Sequence, residues 1–266
     1  MINFKAKILM NGKVKQGYYR MLLDAAAVKE PVQPGQFVNA RVENGLQPFL
    51  RRPFSIYNYE PGSRTIELVY KVLGEGTRIL SEKVMGQSID VIGPLGNGYE
   101  LPAKNRRVIL VGGGTGLISL YYLTKVLAER RQKETTVLAG YSDMKNIIID
   151  KDFEALGINF MVATEDGSRG YRGCVTDLLK EILNTGSVDT VIFSCGPKPM
   201  LKEVVRVAGR LNPDCFVSLE EYMGCGVGAC MSCVVKVKSA KSKNKHEYKR
   251  ICREGPVFRG SQLLWR

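Results

Sequence analysis

Four cysteines constrain this chain more than any other feature. Cys225, Cys230, Cys233 and Cys252 follow the pattern C-x4-C-x2-C, then eighteen residues, then C. That is the spacing by which plant-type [2Fe–2S] centres are held. A loop that wraps two irons must turn tightly, and Gly224, Gly226 and Gly228 give it the necessary backbone freedom. The loop N–H groups can then approach sulfur and stabilise negative charge on a cluster. Two other readings stay open at this point, a zinc site and unligated buried thiols. Zinc sites favour two C-x2-C knuckles, and one is present here. Cys174, Cys195 and Cys215 stand apart from the quartet and read as small buried hydrophobes. Seven cysteines is an odd number, and the chain opens Met1-Ile2-Asn3-Phe4-Lys5 without an apolar leader. A reducing cytoplasm is therefore expected, and clustered thiols read as ligands rather than bridges.

The 266 residues show three successive textures. Residues 1–102 carry short runs of β-formers, such as 37–42 and 65–70, with turn signals at Asn11-Gly12, Pro34-Gly35, Pro61-Gly62 and Gly93-Pro94-Leu95-Gly96-Asn97-Gly98. These predict a small antiparallel β-barrel with one brief helix over 77–83. Residues 103–215 alternate buried-strand runs (107–111, 135–139, 158–163, 190–194) with helical periods (Leu120, Leu123 and Leu127; 175–183; 199–209). That alternation predicts a doubly wound α/β domain around a parallel sheet. Residues 216–266 hold the cysteines, glycines and a basic run without helical period, and read as a cluster-binding module. The expected class is thus an α+β multidomain chain: N-terminal antiparallel β-barrel, central α/β nucleotide domain, C-terminal [2Fe–2S] module. The longest uncharged stretch, 108–124, is interrupted by four glycines and falls short of the roughly 20 residues of a spanning helix, so no membrane span is expected.

Val111-Gly112-Gly113-Gly114-Thr115-Gly116-Leu117 follows a strand and opens a helix. Such a turn can bring a phosphate to a helix N-terminus, where free N–H groups and the helix dipole favour an anion. It departs from strict G-x-G-x-x-G at Leu117, and a plain tight turn is the alternative. Cys195-Gly196-Pro197 ends another strand, and in a doubly wound sheet both turns fall at the carboxyl edge where ligands bind. Glu165 ends a third strand; its carboxylate suits a ribose diol and repels a 2′-phosphate, which favours NAD over NADP. A helix cap or turn is the bland alternative there.

In the first segment, Arg51-Arg52-Pro53-Phe54-Ser55 precedes Leu68-Val69-Tyr70-Lys71-Val72-Leu73-Gly74-Glu75-Gly76-Thr77. The plain reading is a basic strand end and a helix cap. The two stretches nevertheless resemble the R-x-[YF]-[ST] and glycine-threonine flavin motifs of the ferredoxin reductase superfamily. Taken with the G-G-G-T-G, C-G-P and cysteine motifs in this order, essentially the whole chain resembles the electron-transfer subunits of type 1B dihydroorotate dehydrogenases. Phe54 stands where relatives often have an aliphatic residue or Tyr, a position at which the motif also admits Phe, and the Lys-rich gap before Cys252 bears only on hairpin length.

The resemblance implies FAD held by Arg52, Pro53, Phe54, Ser55, Val69, Tyr70, Lys71, Gly76 and Thr77. It implies NAD docked against Gly112, Gly113, Gly114, Thr115 and Gly116, with Cys195, Gly196 and Pro197 near the nicotinamide. The cluster ligands would be Cys225, Cys230, Cys233 and Cys252. The implied partner is an FMN-containing catalytic subunit that oxidises dihydroorotate in pyrimidine biosynthesis, two copies of each forming a heterotetramer. Electrons would pass from FMN through [2Fe–2S] and FAD to NAD+, with alignment rather than a side-chain acid or base governing the hydride step.

Two rival functions follow from the same residues. One is the small subunit of an NAD(P)H:ferredoxin oxidoreductase or a sulfide dehydrogenase, against which a cysteine at position 225 counts, since those relatives often carry aspartate there. The other is a nucleic-acid-binding protein with a zinc tail, suggested by the formal charge of +13 and by Lys236, Lys238, Lys241, Lys243 and Lys245. A charge run of this kind is usually solvated, and no base-stacking motif accompanies it. His246, the single histidine, reads as a surface residue.

Overall fold

The computed structural model describes every residue except 44, 46, 133, 185–188, 212, 241, 243 and 266. Lys241 and Lys243 of the basic run therefore lie outside the described residues. The chain divides into two compact units. The first gathers Met1–Gly98, Glu221–Val234 and Lys249–Pro256; the second gathers Tyr99–Glu220, Val235–Tyr248 and Val257–Arg266.

The first unit is built on β1 (Ile2–Lys15), β2 (Tyr18–Asp24), β3 (Phe37–Arg41), β4 (Arg52–Ser55), β5 (Asn58–Glu60), β6 (Thr65–Lys71), helix α1 (Glu75–Glu82) and β7 (Ser88–Leu95). The strands form one antiparallel sheet in the order β4-β3-β7-β1-β2-β6-β5. Burial alternates along β7, with Ile89, Val91, Gly93 and Leu95 turned inward, as expected of a sheet with one solvated face. Phe54 on β4 meets Tyr70 on β6 edge-on at 5.6 Å, so the sheet curls until these two strands approach. Asn11-Gly12, expected to turn, instead lies inside β1, which shifts register on either side of it. The Asn11 side chain explains this. Its amide donates to the Leu80 and Lys83 carbonyls at 2.9 and 2.7 Å, tying down the C-terminal end of α1, and its oxygen accepts from Tyr70 Oη at 3.0 Å. Long-range partners have replaced the local turn bonds that Asn otherwise makes.

The second unit contains β8 (Arg107–Gly113), α2 (Gly116–Glu129), β9 (Glu134–Tyr141), α3 (Asp150–Glu154), β10 (Asn159–Thr164), β11 (Tyr171–Arg172), α4 (Val175–Leu183), β12 (Thr190–Cys195), α5 (Lys198–Leu211) and β13 (Asp214–Ser218). Further along, β14 (Val234–Lys238) and β15 (His246–Arg250) form a two-stranded ribbon, and β16 (Val257–Arg259) follows. The main sheet runs β11-β10-β9-β8-β12-β13-β16, parallel except for β16. Every residue of β12 and all but the first of β8 are buried, the pattern of parallel strands covered on both faces. The order reverses at β8, which has β9 on one side and β12 on the other, so a crevice opens at its carboxyl end.

Helices α4 and α5 are joined by Lys180, whose Nζ lies 3.2 Å from Glu203 Oε1. The Arg206 guanidinium, and secondarily Lys180, hold the Glu203 carboxyl down to about 2 from an ordinary 4.5. A carboxylate lowered on folding contributes stability above its ordinary value and loses it as pH falls through the folded one. Glu203→Gln is therefore expected to lower the unfolding free energy at pH 7 slightly, by less than about 1 kcal/mol for so accessible a pair. The gap from the parent protein should close between about pH 4.5 and 2. Unfolding curves at pH 7 and pH 3 check this.

Candidate functional site

The four quartet cysteines all belong to the first unit, on the segments Glu221–Val234 and Lys249–Pro256. They lie near one another. Cys225 N–H donates to Cys230 Sγ at 3.4 Å, and Cys252 is close enough to Cys233 and Cys225 for their thiols to interact. The Cys225 sulfur in turn accepts from the backbone N–H groups of Val227, Ala229 and Cys230 at 3.4, 3.2 and 3.4 Å. Gly226 and Gly228 hold φ at +71° and +87°, the left-handed conformation such a loop requires. The Ser232 hydroxyl lowers the Cys230 thiol to about 6, whereas burial pushes Cys252 up to about 12.

Among the described residues, no three His, Cys, Asp or Glu side chains converge as around a single ion. A binuclear cluster takes four thiolates, two on each iron, and carries negative charge that N–H donors to sulfur stabilise, as the Val227, Ala229 and Cys230 N–H groups do at Cys225. The donor set fits a [2Fe–2S] centre.

Two asparagines missed in the sequence hold these segments to the barrel. Asn39 Nδ2 donates to the Cys225 carbonyl at 3.2 Å, and Asn97 Nδ2 donates to the Arg253 and Glu254 carbonyls, both at 3.2 Å. No local signal marks either residue, because their partners lie more than 150 positions away. Arg250 completes the fastening, donating to the Gly228 carbonyl at 2.7 Å while paired with Glu254.

The flavin-motif residues lie on β4, β6 and the start of α1. The structure brings Arg52 and α1 together: a Cβ on Gly76 would sit 2.8 Å from Arg52 Nε. A guanidinium over a helix N-terminus is a fitting cradle for a pyrophosphate. Thr77 serves its own turn, its hydroxyl accepting from Leu73 N and Gly74 N and donating to the Gly74 carbonyl. Phe54, Val69 and Tyr70 are buried, and Pro53 and Ser55 are half-buried. Burial holds the Tyr70 hydroxyl protonated, well above the usual phenol range. Lys71 is exposed, with its ammonium 5.5 Å from the Tyr18 ring centre.

In the second unit the glycine turn divides by role. A Cβ on Gly116 would come within 2.3 Å of the Cys195 carbonyl oxygen, and one on Gly113 within 2.5 Å of Met200 Sδ. On Gly112 it would meet Leu117 Cδ1 at 2.5 Å. These three glycines permit close packing between the turn, α2 and the C-G-P segment. Gly114, at φ +53° with open space where a Cβ would point, and exposed Thr115 form the accessible tip. Gly196, at φ +155°, lies against Gly113, so both turns meet at the crevice edge beside half-buried Gly196 and exposed Pro197.

Burial pushes the Cys195 thiol up to about 12, with the Glu220 carboxylate adding to the effect, so Cys195 is neutral there. Glu165 is exposed at the carboxyl end of β10, two strands from β8. A cavity of about 530 Å³ lined by Arg107, Gln132, Glu134 and Asn159 lies at the opposite, amino-terminal edge of the sheet and is not part of this crevice.

The fold and the thiol quartet together define a ferredoxin-reductase-like electron-transfer protein with flavin, nicotinamide and iron–sulfur cofactors. Residues 220–264 match the family model for the iron–sulfur cluster binding domain of dihydroorotate dehydrogenase B, and residues 110–206 match the oxidoreductase NAD-binding domain. The chain is 41% identical over 254 residues to the dihydroorotate dehydrogenase B (NAD(+)) electron transfer subunit of Shouchella clausii, covering 94% of each chain. It is 38% identical over 256 residues to the Fusobacterium nucleatum subunit of the same name, covering 95% of each. Among solved structures, the NADH-dependent reduced ferredoxin-NADP oxidoreductase superposes with a TM-score of 0.84 at 30% identity, over 98% of this chain and 90% of that one. A ferredoxin NADP+ reductase from Neisseria gonorrhoeae, at 18% identity and a TM-score of 0.65 over 79% of this chain and 91% of that one, shares the fold. The chain belongs to the family of dihydroorotate dehydrogenase B electron transfer subunits.

Proposed function

We propose that this chain carries electrons from an FMN-containing dihydroorotate dehydrogenase catalytic subunit to NAD+, working in the cytoplasm as part of a heterotetramer with two copies of each subunit. The bound groups would supply the redox chemistry: single-electron transfer by a [2Fe–2S] centre, and on FAD the combination of two electrons with a proton for hydride transfer to NAD+. The chain's own residues bind and orient. Cys225 with Cys230, and Cys233 with Cys252, would hold one iron each. Arg52 and the Gly76 end of α1 would hold the FAD pyrophosphate, while Pro53, Phe54, Ser55, Val69, Tyr70 and Lys71 line the flavin. Gly114 and Thr115 would meet the NAD pyrophosphate, and Gly112, Gly113 and Gly116 let the turn pack closely enough to present them. Cys195, Gly196 and Pro197 would lie near the nicotinamide, and Glu165 would accept from a ribose diol. The neutral Cys195 thiol would add no charge beside a cationic ring.

The observation that carries this reading is the gathering of all four thiols on two segments that hydrogen-bond to the sheet bearing the flavin motifs. Its test is to co-purify the chain with the catalytic subunit and assay dihydroorotate-dependent NAD+ reduction. Turnover is the expected result. Turnover with reduced ferredoxin in place of dihydroorotate would transfer the assignment to the oxidoreductase relative.

A further inference from the structure

We propose that Asn39 is a positioning residue for the cluster, setting the hydrogen bonds that reach the Cys225 sulfur; this rests on the cluster assignment above. Asn39 sits in the middle of β3, 1% exposed, opposite Pro53 of the flavin-motif strand. Its Nδ2–H is aimed across 186 positions of sequence at the Cys225 carbonyl. A Cβ on Gly226 would fall 2.2 Å from that same nitrogen, so the amide is pressed against the Cys225–Gly226 peptide. The peptide orientation governs the run immediately after it, whose Val227, Ala229 and Cys230 N–H groups donate to Cys225 Sγ. Such N–H···S bonds stabilise the more negative, reduced state of a cluster and raise its potential.

The other half of the side chain shows that the barrel does not need an amide here. Among the described residues, Asn39 Oδ1 is buried without a hydrogen-bond partner. Leaving an acceptor unpaired in the interior costs its desolvation, and a leucine of similar size would avoid that cost. Stability alone therefore disfavours Asn39, and the donor half serves the cluster loop.

The test compares Asn39→Leu and Asn39→Asp with the parent protein by redox titration and magnetic resonance of the reduced cluster, flavin content and urea unfolding. Asn39→Leu is expected to keep flavin and urea resistance at or above the parent level. Its cluster midpoint should move to more negative values by up to about tenfold in the reduced-to-oxidised ratio, about 59 mV for one electron, with altered g values. Asn39→Asp keeps the shape, cannot donate when ionised, and should move the midpoint the same way. Loss of cluster with flavin retained also supports the role.

Unchanged midpoints and g values in both variants overturn it. So does loss of flavin and cluster together in both, which would make the side chain a general support of the barrel. Absence of a [2Fe–2S] signal from the parent protein would instead sink the functional assignment itself.

Discussion

Cys233→Ser is expected to give a yellow protein that retains FAD but lacks iron–sulfur absorption and the magnetic-resonance signal of a reduced cluster. Cys233 is 2% exposed, and its carbonyl accepts from Ile251 N at 2.8 Å, so the backbone that carries the side chain stays anchored after an oxygen-for-sulfur exchange. What changes is the ligand: a hydroxyl does not replace a thiolate as a soft donor to iron. Dihydroorotate-dependent NAD+ reduction by the assembled enzyme should fall at least about 100-fold, beyond the range seen when only outer partners of a metal site are removed. NADH-driven reduction of a small dye, which needs the flavin alone, should stay within about twofold. Cys174→Ser and Cys215→Ser should leave iron content unchanged. A Cys233→Ser protein with full iron and full coupled activity would remove Cys233 from the ligand set.

Arg52→Ala should weaken FAD binding roughly 100-fold, about 3 kcal/mol, the scale of losing a charge-assisted contact to a phosphate. The prediction comes from geometry more than from charge. The Arg52 guanidinium lies over the N-terminal turn of α1, close enough to Gly76 that a Cβ there would collide with it. Gly76→Val should therefore displace Arg52 and weaken binding in the same direction, although it leaves the positive charge in place. Titrating apoprotein with FAD and following flavin fluorescence measures both. Equal affinity in the parent and Arg52→Ala proteins would move the pyrophosphate site elsewhere.

The alternation of β8, α2, β9 and later elements was legible because a parallel strand covered on both faces must be apolar along its length, as Val108 to Val111 are. The iron–sulfur segment was legible because metal chemistry imposes both residue type and spacing over a few positions, and residues 220–264 match an iron–sulfur cluster binding domain. Resemblance supplied the flavin motifs, since Arg52 and Gly76 are ordinary residues until folding brings them together. Asn11, Asn39 and Asn97 were not legible in their actual roles. Each is a turn-former by local rules, yet each spends its amide on a carbonyl 69 or more positions away. The glycine turn reads in sequence as either a phosphate cradle or a plain tight turn, and in the structure Gly112, Gly113 and Gly116 also serve packing against Leu117, Met200 and Cys195. No one-dimensional pattern distinguishes those two demands.

The first unit is assembled from three separated lengths of chain, with the strands and helices of Tyr99–Glu220 intervening before the thiol-bearing pieces. A nascent chain can complete most of the barrel early in synthesis, but Asn39 and Asn97 must wait for their carbonyl partners until the nucleotide-binding sheet has been translated. The proposed site for the metal is thereby completed late in synthesis. A fragment released midway carries none of its four thiols.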